Sequence, residues 1–199
     1  MIDFIRINYE EGNPTRTMQP ISEPEIRSYV EKAIDGDVDA YGALYNAFVD
    51  RIFRYVFFQV RDRMKAEDIT QDVFIKGWKA IHTCRGKEHT FSAWLYCVAR
   101  NHVVDIKRKK HKEVSLEMVD PAGHEDTEHN AEISVEWQKM MAAVNALPEP
   151  QKQIILLKFL EGADNNEIGD IMGKRQGAVR ALQMRALKNL RRKINDGLQ

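Results

Sequence analysis

From Tyr41 onward, apolar side chains recur every three or four residues: Tyr41, Leu44, Tyr45, Phe48, Ile52, Val56 and Val60. That spacing follows the helical turn and predicts one long helix with a single apolar face. Ahead of it, "SEPE" at Ser22–Glu25 combines an N-cap Ser, a Pro early in the helix and a capping-box Glu. A shorter helix is therefore expected to about Asp35, where Gly36 breaks it. A third helix is predicted from about Ala66 to Ile81, with Ile69, Val73, Trp78 and Ile81 inward. A fourth starts near Thr90, a suitable N-cap, and uses Phe91, Trp94, Leu95, Val98 and Ile106. Polar "HTCRGKEH", with Gly86, forms the loop between these two. Strand-like alternation is confined to Ile2, Phe4, Ile5, Ile7 and Tyr9, and residues 1–22 stand as an N-terminal extension without an assigned role.

The pattern lapses from Glu113 to Asn130, where Pro121, Gly123 and many acids replace large apolar residues. That composition reads as a linker. Helical spacing returns in "AEISVEWQKMMAAVNAL", with Ile133, Trp137, Met140, Met141 and Val144 on one side and Leu147–Pro148 at its end. "PEPQKQIILLKFLEG" makes another helix, closed by Gly162, and two shorter units finish the chain. The fold class expected is all-α: two small helical domains, 23–112 and 131–199, joined by a flexible acidic linker at 113–130. There is no internal repeat and no low-complexity tract.

Composition adds little until charge is laid along the chain. The 199 residues are 43% hydrophobic and 30% charged, with 30 bases against 30 acids. Eight acids lie between Glu113 and Glu136 with no Lys or Arg among them, and eight bases lie between Lys174 and Lys193. A third block, "RNHVVDIKRKKHK" from Arg100, is also basic. Two basic segments thus flank an acidic one, a layout that speaks to partners rather than to fold. No apolar run approaches a membrane span of about 20 residues. The N-terminus, with Asp3 and no long apolar stretch, does not read as a secretory signal. Cys84 and Cys97 make no disulfide framework, so a cytoplasmic, reduced setting is expected.

"NNEIGDIMGKRQGAVRALQMR" meets several requirements of a helix-turn-helix at once. Gly169 supplies the small residue that a close crossing needs, and Gly173, four places later, tolerates the positive φ of the turn. Val179 then drops into the shared core, followed by Leu182 and Leu190, with Ile168 and Ile171 on the first helix. The outward face of the second helix carries Arg175, Gln176, Arg180, Gln183, Met184 and Arg185. Arg and Gln can pair with purine edges in the major groove. Lys188, Arg191, Arg192 and Lys193 behind them suit phosphates. The plainer reading is a basic amphipathic helix that is solvated or meets an acidic partner.

The third helix presents Glu67, Asp68, Gln71, Asp72, Lys76 and Lys79 on its polar side. Acids near a helix N-terminus are favoured by the helix dipole, yet the same patch suits a basic partner helix. In the fourth helix, Phe91, Trp94 and Tyr96 lie just upstream of Arg100, Asn101, His102, Lys107, Arg108, Lys109 and Lys110. Aromatics beside bases are the equipment for holding single-stranded nucleic acid. The competing reading places Phe91, Trp94 and Leu95 in the core, because their spacing is helical.

Taken in order, "AEDITQDVFIKGW", "FSAWLYCVARNHVVDIKRKK", "ALPEPQKQIILLKFLEG" and "NEIGDIMGKRQGAVRALQMRALKNLRR" resemble an extracytoplasmic-function RNA polymerase sigma factor of the sigma-70 family. The likeness covers about residues 25–195. It implies that Glu67, Asp68, Gln71, Asp72 and Phe74 dock on the β′ clamp helices of core RNA polymerase, with the β flap as a further contact. It implies that the loop His82–Thr90 and the helix from Trp94 to Arg108 capture and melt the minus-ten element. Arg85, Lys87, Trp94, Arg100, Asn101, Lys107 and Arg108 are the candidates there, and the loop would hold a flipped base. The C-terminal helix would read the minus-thirty-five duplex through Arg175, Gln176, Arg180, Gln183, Met184, Arg185 and Lys188. An anti-sigma factor, often membrane-bound, is the further partner implied, without membrane insertion of this chain itself. The recognition helix departs from the family's frequent Gly-Thr-Val-Lys/Arg-Ser-Arg, reading Gly177-Ala178-Val179-Arg180-Ala181-Leu182. Promoter sequence therefore does not carry over.

No cofactor is expected. His82, Cys84, His89, His124 and His129 lack any standard zinc spacing and read as solvated loop residues. There is no glycine-rich nucleotide loop and no nucleophile motif, so an enzyme is not expected. A two-domain helix-turn-helix regulator, with the N-terminal helices as a sensing or dimerisation module, is the other reading. It leaves "DITQDVF" and the basic-aromatic helix unexplained. The acidic linker either repels DNA or mimics nucleic acid in a basic channel of the polymerase.

Overall fold

A computed structural model describes residues 21–87, 90–114 and 135–196. The strand-like N-terminal stretch and most of the acidic linker lie outside the described residues. Those described form eight α-helices in two compact units. The first holds α1 (Glu23–Ile34), α2 (Val38–Val60), α3 (Arg63–Ala80) and α4 (Phe91–Val114), with a 3-10 turn at Ile81–Cys84. The second holds α5 (Val135–Asn145), α6 (Glu149–Ile155), α7 (Asn165–Met172) and α8 (Gln176–Asp196).

Local chemistry sets the boundaries in the first unit. Glu25 reaches back to accept from the Ser22 amide at 2.9 Å and its hydroxyl at 2.6 Å, closing the start of α1. These bonds hold the Glu25 carboxyl below the usual range, the hydroxyl contributing most. Between α2 and α3, Arg61 sits in the left-handed region at φ 57°, and Asp62 then accepts from the Lys65 amide at 2.9 Å. Asp62 is also paired with the Lys65 ammonium, which is the main reason its carboxyl titrates low. This cap moves the start of α3 to Arg63, three residues ahead of the expected Ala66. Thr90 precedes α4, and its hydroxyl donates to the Lys87 carbonyl at 2.8 Å.

Ring contacts define the packing. Tyr41 meets Trp78 at 5.0 Å and Tyr45 meets Phe74 at 4.7 Å, so α2 and α3 run antiparallel. Tyr45 lies at the edge of this contact and is partly exposed. Phe48 meets Phe91, and Tyr55 meets Tyr96 edge-on at 5.4 Å, so α2 and α4 advance together. Edge-to-face pairs of this kind add about 0.5–1.5 kcal/mol each beyond the area they bury. Gly77 lets the Tyr41 hydroxyl approach: it donates to the Phe74 carbonyl at 2.6 Å, and a Cβ on Gly77 would sit 2.6 Å from that oxygen. Burial pushes the Tyr41 phenol well above its ordinary pKa.

In the second unit, Met141, Val144 and Leu147 join Ile154, Leu157, Ile168, Val179, Ala186 and Leu190 in one core. The expected helix over "PEPQKQIILLKFLEG" is not uniform. After Ile155 it widens into a π-helical turn at Leu156–Leu160, where the Glu161 amide donates to Leu156 rather than to Leu157. Gly162, at φ 73°, ends it, and the Lys158 ammonium donates to the Ala163 carbonyl at 3.1 Å beyond the turn.

Candidate nucleic-acid interface and docking face

The inner side of α3 is spent on Ala66, Ile69, Thr70, Val73, Phe74 and Gly77. What remains is a continuous outer stripe of Met64, Glu67, Asp68, Gln71, Asp72, Ile75, Lys76 and Lys79, all exposed. The expected acids and amide are therefore brought together. Phe74 is not with them. It is buried against Tyr45 and supports the stripe from beneath. Sequence reasoning missed Met64 and Ile75, which are 76% and 53% exposed. Their signal was positional, since both fall outside the inward spacing of this helix. Two carboxylates here already have local partners. Arg63 pairs with Glu67 at 2.9 Å, and His102 of α4 meets Asp72 at 3.0 Å while accepting Lys76 at 2.6 Å.

The candidate strand-capturing residues divide between a turn and a helix. Arg85 is exposed and pairs with Asp35, at the end of α1, at 2.8 Å; Lys87 is exposed nearby. On α4, Asn101 and Arg108 are exposed. Arg100 donates to the Asn101 side chain at 3.3 Å, and Lys107 donates to Gln59 of α2 at 3.3 Å. The aromatic platform shrinks. Phe91 and Tyr96 are core residues, because α4 needs them against Phe48 and Tyr55. Trp94 is half-buried at 5.7 Å from Phe91 and is the one of the three that keeps an accessible face. His102, grouped by sequence with the nucleic-acid bases, turns instead to α3. The Arg51 guanidinium lies over the Phe48 and Tyr96 rings at 5.5 and 5.9 Å, bringing a cation from α2 to this seam that sequence reasoning missed. Cys84, expected to be solvated with its loop, is buried in the core; His82 is exposed, and His89, His124 and His129 lie outside the described residues. Among the described residues no helix is long and apolar enough to cross a membrane.

The second unit builds the expected helix-turn-helix. Asp164 caps α7, accepting from the Asn166 and Glu167 amides, while Glu167 returns to the Asp164 amide at 2.8 Å. Gly173 takes the left-handed conformation at φ 62° and ψ 41°. The Lys174 amide donates to the Gly169 carbonyl at 2.8 Å. A Cβ at Gly169 would lie 2.7 Å from the Lys174 carbonyl oxygen, so the crossing needs a residue without one. Val179, Leu182, Ala186 and Leu190 are buried on the inner side of α8. Arg175, Gln176, Arg180, Met184, Arg185 and Lys188 are exposed and Gln183 is half-exposed. Exposed Gly177, Ala178 and Ala181 lie between them, leaving that face low enough for a backbone to approach a groove. Gln176 donates its side-chain amide to Asn166, and Arg185 donates to the Ala181 carbonyl at 3.2 Å.

Two family profiles match the chain: Sigma-70 region 2 over residues 44–113 and Sigma-70, region 4 over residues 137–190. Among curated relatives, the Haemophilus influenzae ECF RNA polymerase sigma-E factor is 30% identical, covering 84% of this chain and 94% of that one. The Streptomyces coelicolor ECF RNA polymerase sigma factor BldN is 32% identical over 84% of this chain, which spans 65% of its length. Bacillus subtilis SigW is 26% identical over 86% and 97% of the two chains. Among solved structures, the sigma factor RpoE of Bartonella quintana, in complex with the anti-sigma factor NepR, superposes with a TM-score of 0.67 at 20% identity, covering 79% of this chain and 98% of that one. CnrH, in complex with the cytosolic domain of CnrY, gives 0.65 at 18% identity, covering 86% and 98%.

Proposed function

Since this chain belongs to the sigma-70 family as an extracytoplasmic-function sigma factor, we propose that its two units divide promoter opening between them. It is an alternative sigma factor that directs transcription initiation by core RNA polymerase. The segment 23–112 docks on the polymerase through the α3 stripe, Glu67, Asp68, Gln71 and Asp72, over the buried Phe74. It takes the melted minus-ten strand along Arg85, Lys87, Trp94, Arg100, Asn101, Lys107 and Arg108. The segment 131–199 reads the minus-thirty-five element as duplex, with Arg175, Gln176, Arg180, Gln183, Met184 and Arg185 at base edges and Lys188 on phosphate. The acidic segment 113–130 tethers the two.

The observation that carries this reading is the pairing, within one unit, of an exposed acidic stripe with a base-bearing helix beside it. A regulator that only binds duplex DNA has no use for that pairing. Catalysis stays with the polymerase; this chain contributes binding and strand separation. The solved relative in complex with an anti-sigma factor supports a similar restraining partner here, acting on a cytoplasmic protein.

Run-off transcription with purified core polymerase tests the function. Promoter-specific transcripts are expected from core plus this chain alone. Silence without a second sigma factor would favour the duplex-binding regulator. Asp72→Arg is expected to abolish co-purification with core; retained binding removes Asp72 from the docking face.

A further inference from the structure

Asp72 and Lys76 stand one turn apart on α3, a spacing at which a carboxylate and an ammonium ordinarily pair directly. Here His102 of α4 stands between them. The Lys76 Nζ lies 2.6 Å from His102 Nδ1, and His102 Nε2 lies 3.0 Å from Asp72 Oδ2. An ammonium has only donors, so Nδ1 must accept and the Nε2–H must donate to the carboxylate. The direction of the whole chain is therefore fixed for a neutral imidazole. The His102 side chain is only 11% exposed, whereas Asp72 remains 57% exposed. A rigid, packed donor thus holds one carboxylate oxygen and leaves the group accessible. The lysine that would otherwise cover Asp72 is occupied on the far side of the ring.

We propose that His102 is a positioning residue for polymerase docking, fixing the Asp72 carboxylate for a basic partner and keeping Lys76 from neutralising it. This rests on the docking role given to Asp72 above. It also separates His102 from its neighbours Arg100 and Asn101, which serve the strand. The two proposed surfaces of this unit then share a contact: the helix that holds the strand also sets the aim of the docking residue.

The test is the affinity of the full-length, fluorescently labelled chain for core polymerase, measured by anisotropy. Wild type is compared with His102→Ala, His102→Gln, Asp72→Asn and the His102→Ala/Asp72→Asn double variant. Because water can partly replace the lost bond at the half-exposed Asp72, His102→Ala is expected to weaken binding about five-fold. Gln, which retains a donor near Nε2, is expected to return affinity to within about two-fold of wild type. In the Asp72→Asn background, where the amide oxygen accepts more weakly and the charge is gone, His102→Ala is expected to cost clearly less than in wild type. Thermal unfolding of each variant separates these effects from loss of fold. Equal weakening by His102→Ala in both backgrounds overturns the proposal. So does unchanged core affinity for His102→Ala, including the case where only promoter opening at saturating core falls, which would make His102 a nucleic-acid contact. If Asp72→Asn itself binds core normally, the docking role of Asp72 fails first, and the inference falls with it.

Discussion

In the base-reading role proposed for Gln176, half of its amide nitrogen is already engaged. Its Nε2 donates to Asn166 at the start of α7, leaving one N–H and the Oε1 for a base edge. A donor and an acceptor side by side suit adenine, and such a bidentate pair discriminates by about 1–3 kcal/mol. A Gln free to rotate would lose part of that through side-chain entropy. Asn166→Ala is therefore expected to relax base preference at the position that Gln176→Ala also relaxes, in selection from promoters with a randomised minus-thirty-five element. Full preference in Asn166→Ala beside a lost position in Gln176→Ala would dismiss the pair. Lys188 differs in kind, since truncating it is expected to weaken binding to every sequence alike. At this scale, the identities of the exposed side chains were legible in the chain, because helical periodicity separates inside from outside. Their partners were not. Asp72 and His102, or Asp35 and Arg85, are joined only by the packing of segments far apart in sequence.

The turn between α7 and α8 shows how one missing methyl positions an element. Ala is normally favoured over Gly within a helix by about 1 kcal/mol. At Gly169 that gain is opposed by a backbone oxygen 2.7 Å from the added carbon, which no side-chain rotation relieves. The Lys174 amide is itself bonded to the Gly169 carbonyl, so the turn cannot move without losing that bond. Gly169→Ala is therefore expected to destabilise the C-terminal unit by a net of about 1–3 kcal/mol. It is also expected to weaken minus-thirty-five binding, while core affinity through α3 is unchanged; denaturant unfolding and a duplex-binding titration check the two halves. A fully stable Ala variant with normal DNA binding would show that the crossing has room to relax. The Gly–Gly–Val spacing makes this motif legible in the sequence, because each position answers a separate steric demand. The α3 boundary differs from the expected Ala66 because Asp62 acts as a cap that apolar spacing does not reveal. Phe91 and Tyr96 look like stacking platforms in the sequence because composition cannot tell an aromatic beside bases from one beneath them. The π-helical turn after Ile155 left no trace in a pattern that allows either spacing.

At the scale of the whole chain, a net charge of +0 conceals two basic surfaces and an acidic block between them. A DNA-binding protein without that block would carry eight bases uncompensated, and phosphate attraction would hold it on any duplex. The eight acids of 113–136 compensate that charge in the sequence. Replacing the eight with Asn and Gln tests what else they do. If charge balance is their whole role, the variant is expected to bind random duplex more tightly at low salt. Its excess affinity should fade within the range where screening shortens to about 8 Å near 0.15 M, and its transcripts should be normal. If instead the linker lies in a basic channel of the polymerase and imitates nucleic acid, the distribution of short abortive transcripts is expected to change at every salt concentration. The second outcome is favoured by the layout, since acids needed only for balance could be scattered through the chain, whereas six of the eight fall within 113–130, the segment proposed to tether the two units. Unaltered abortive patterns would sink the mimicry and leave charge compensation as the reason for the block.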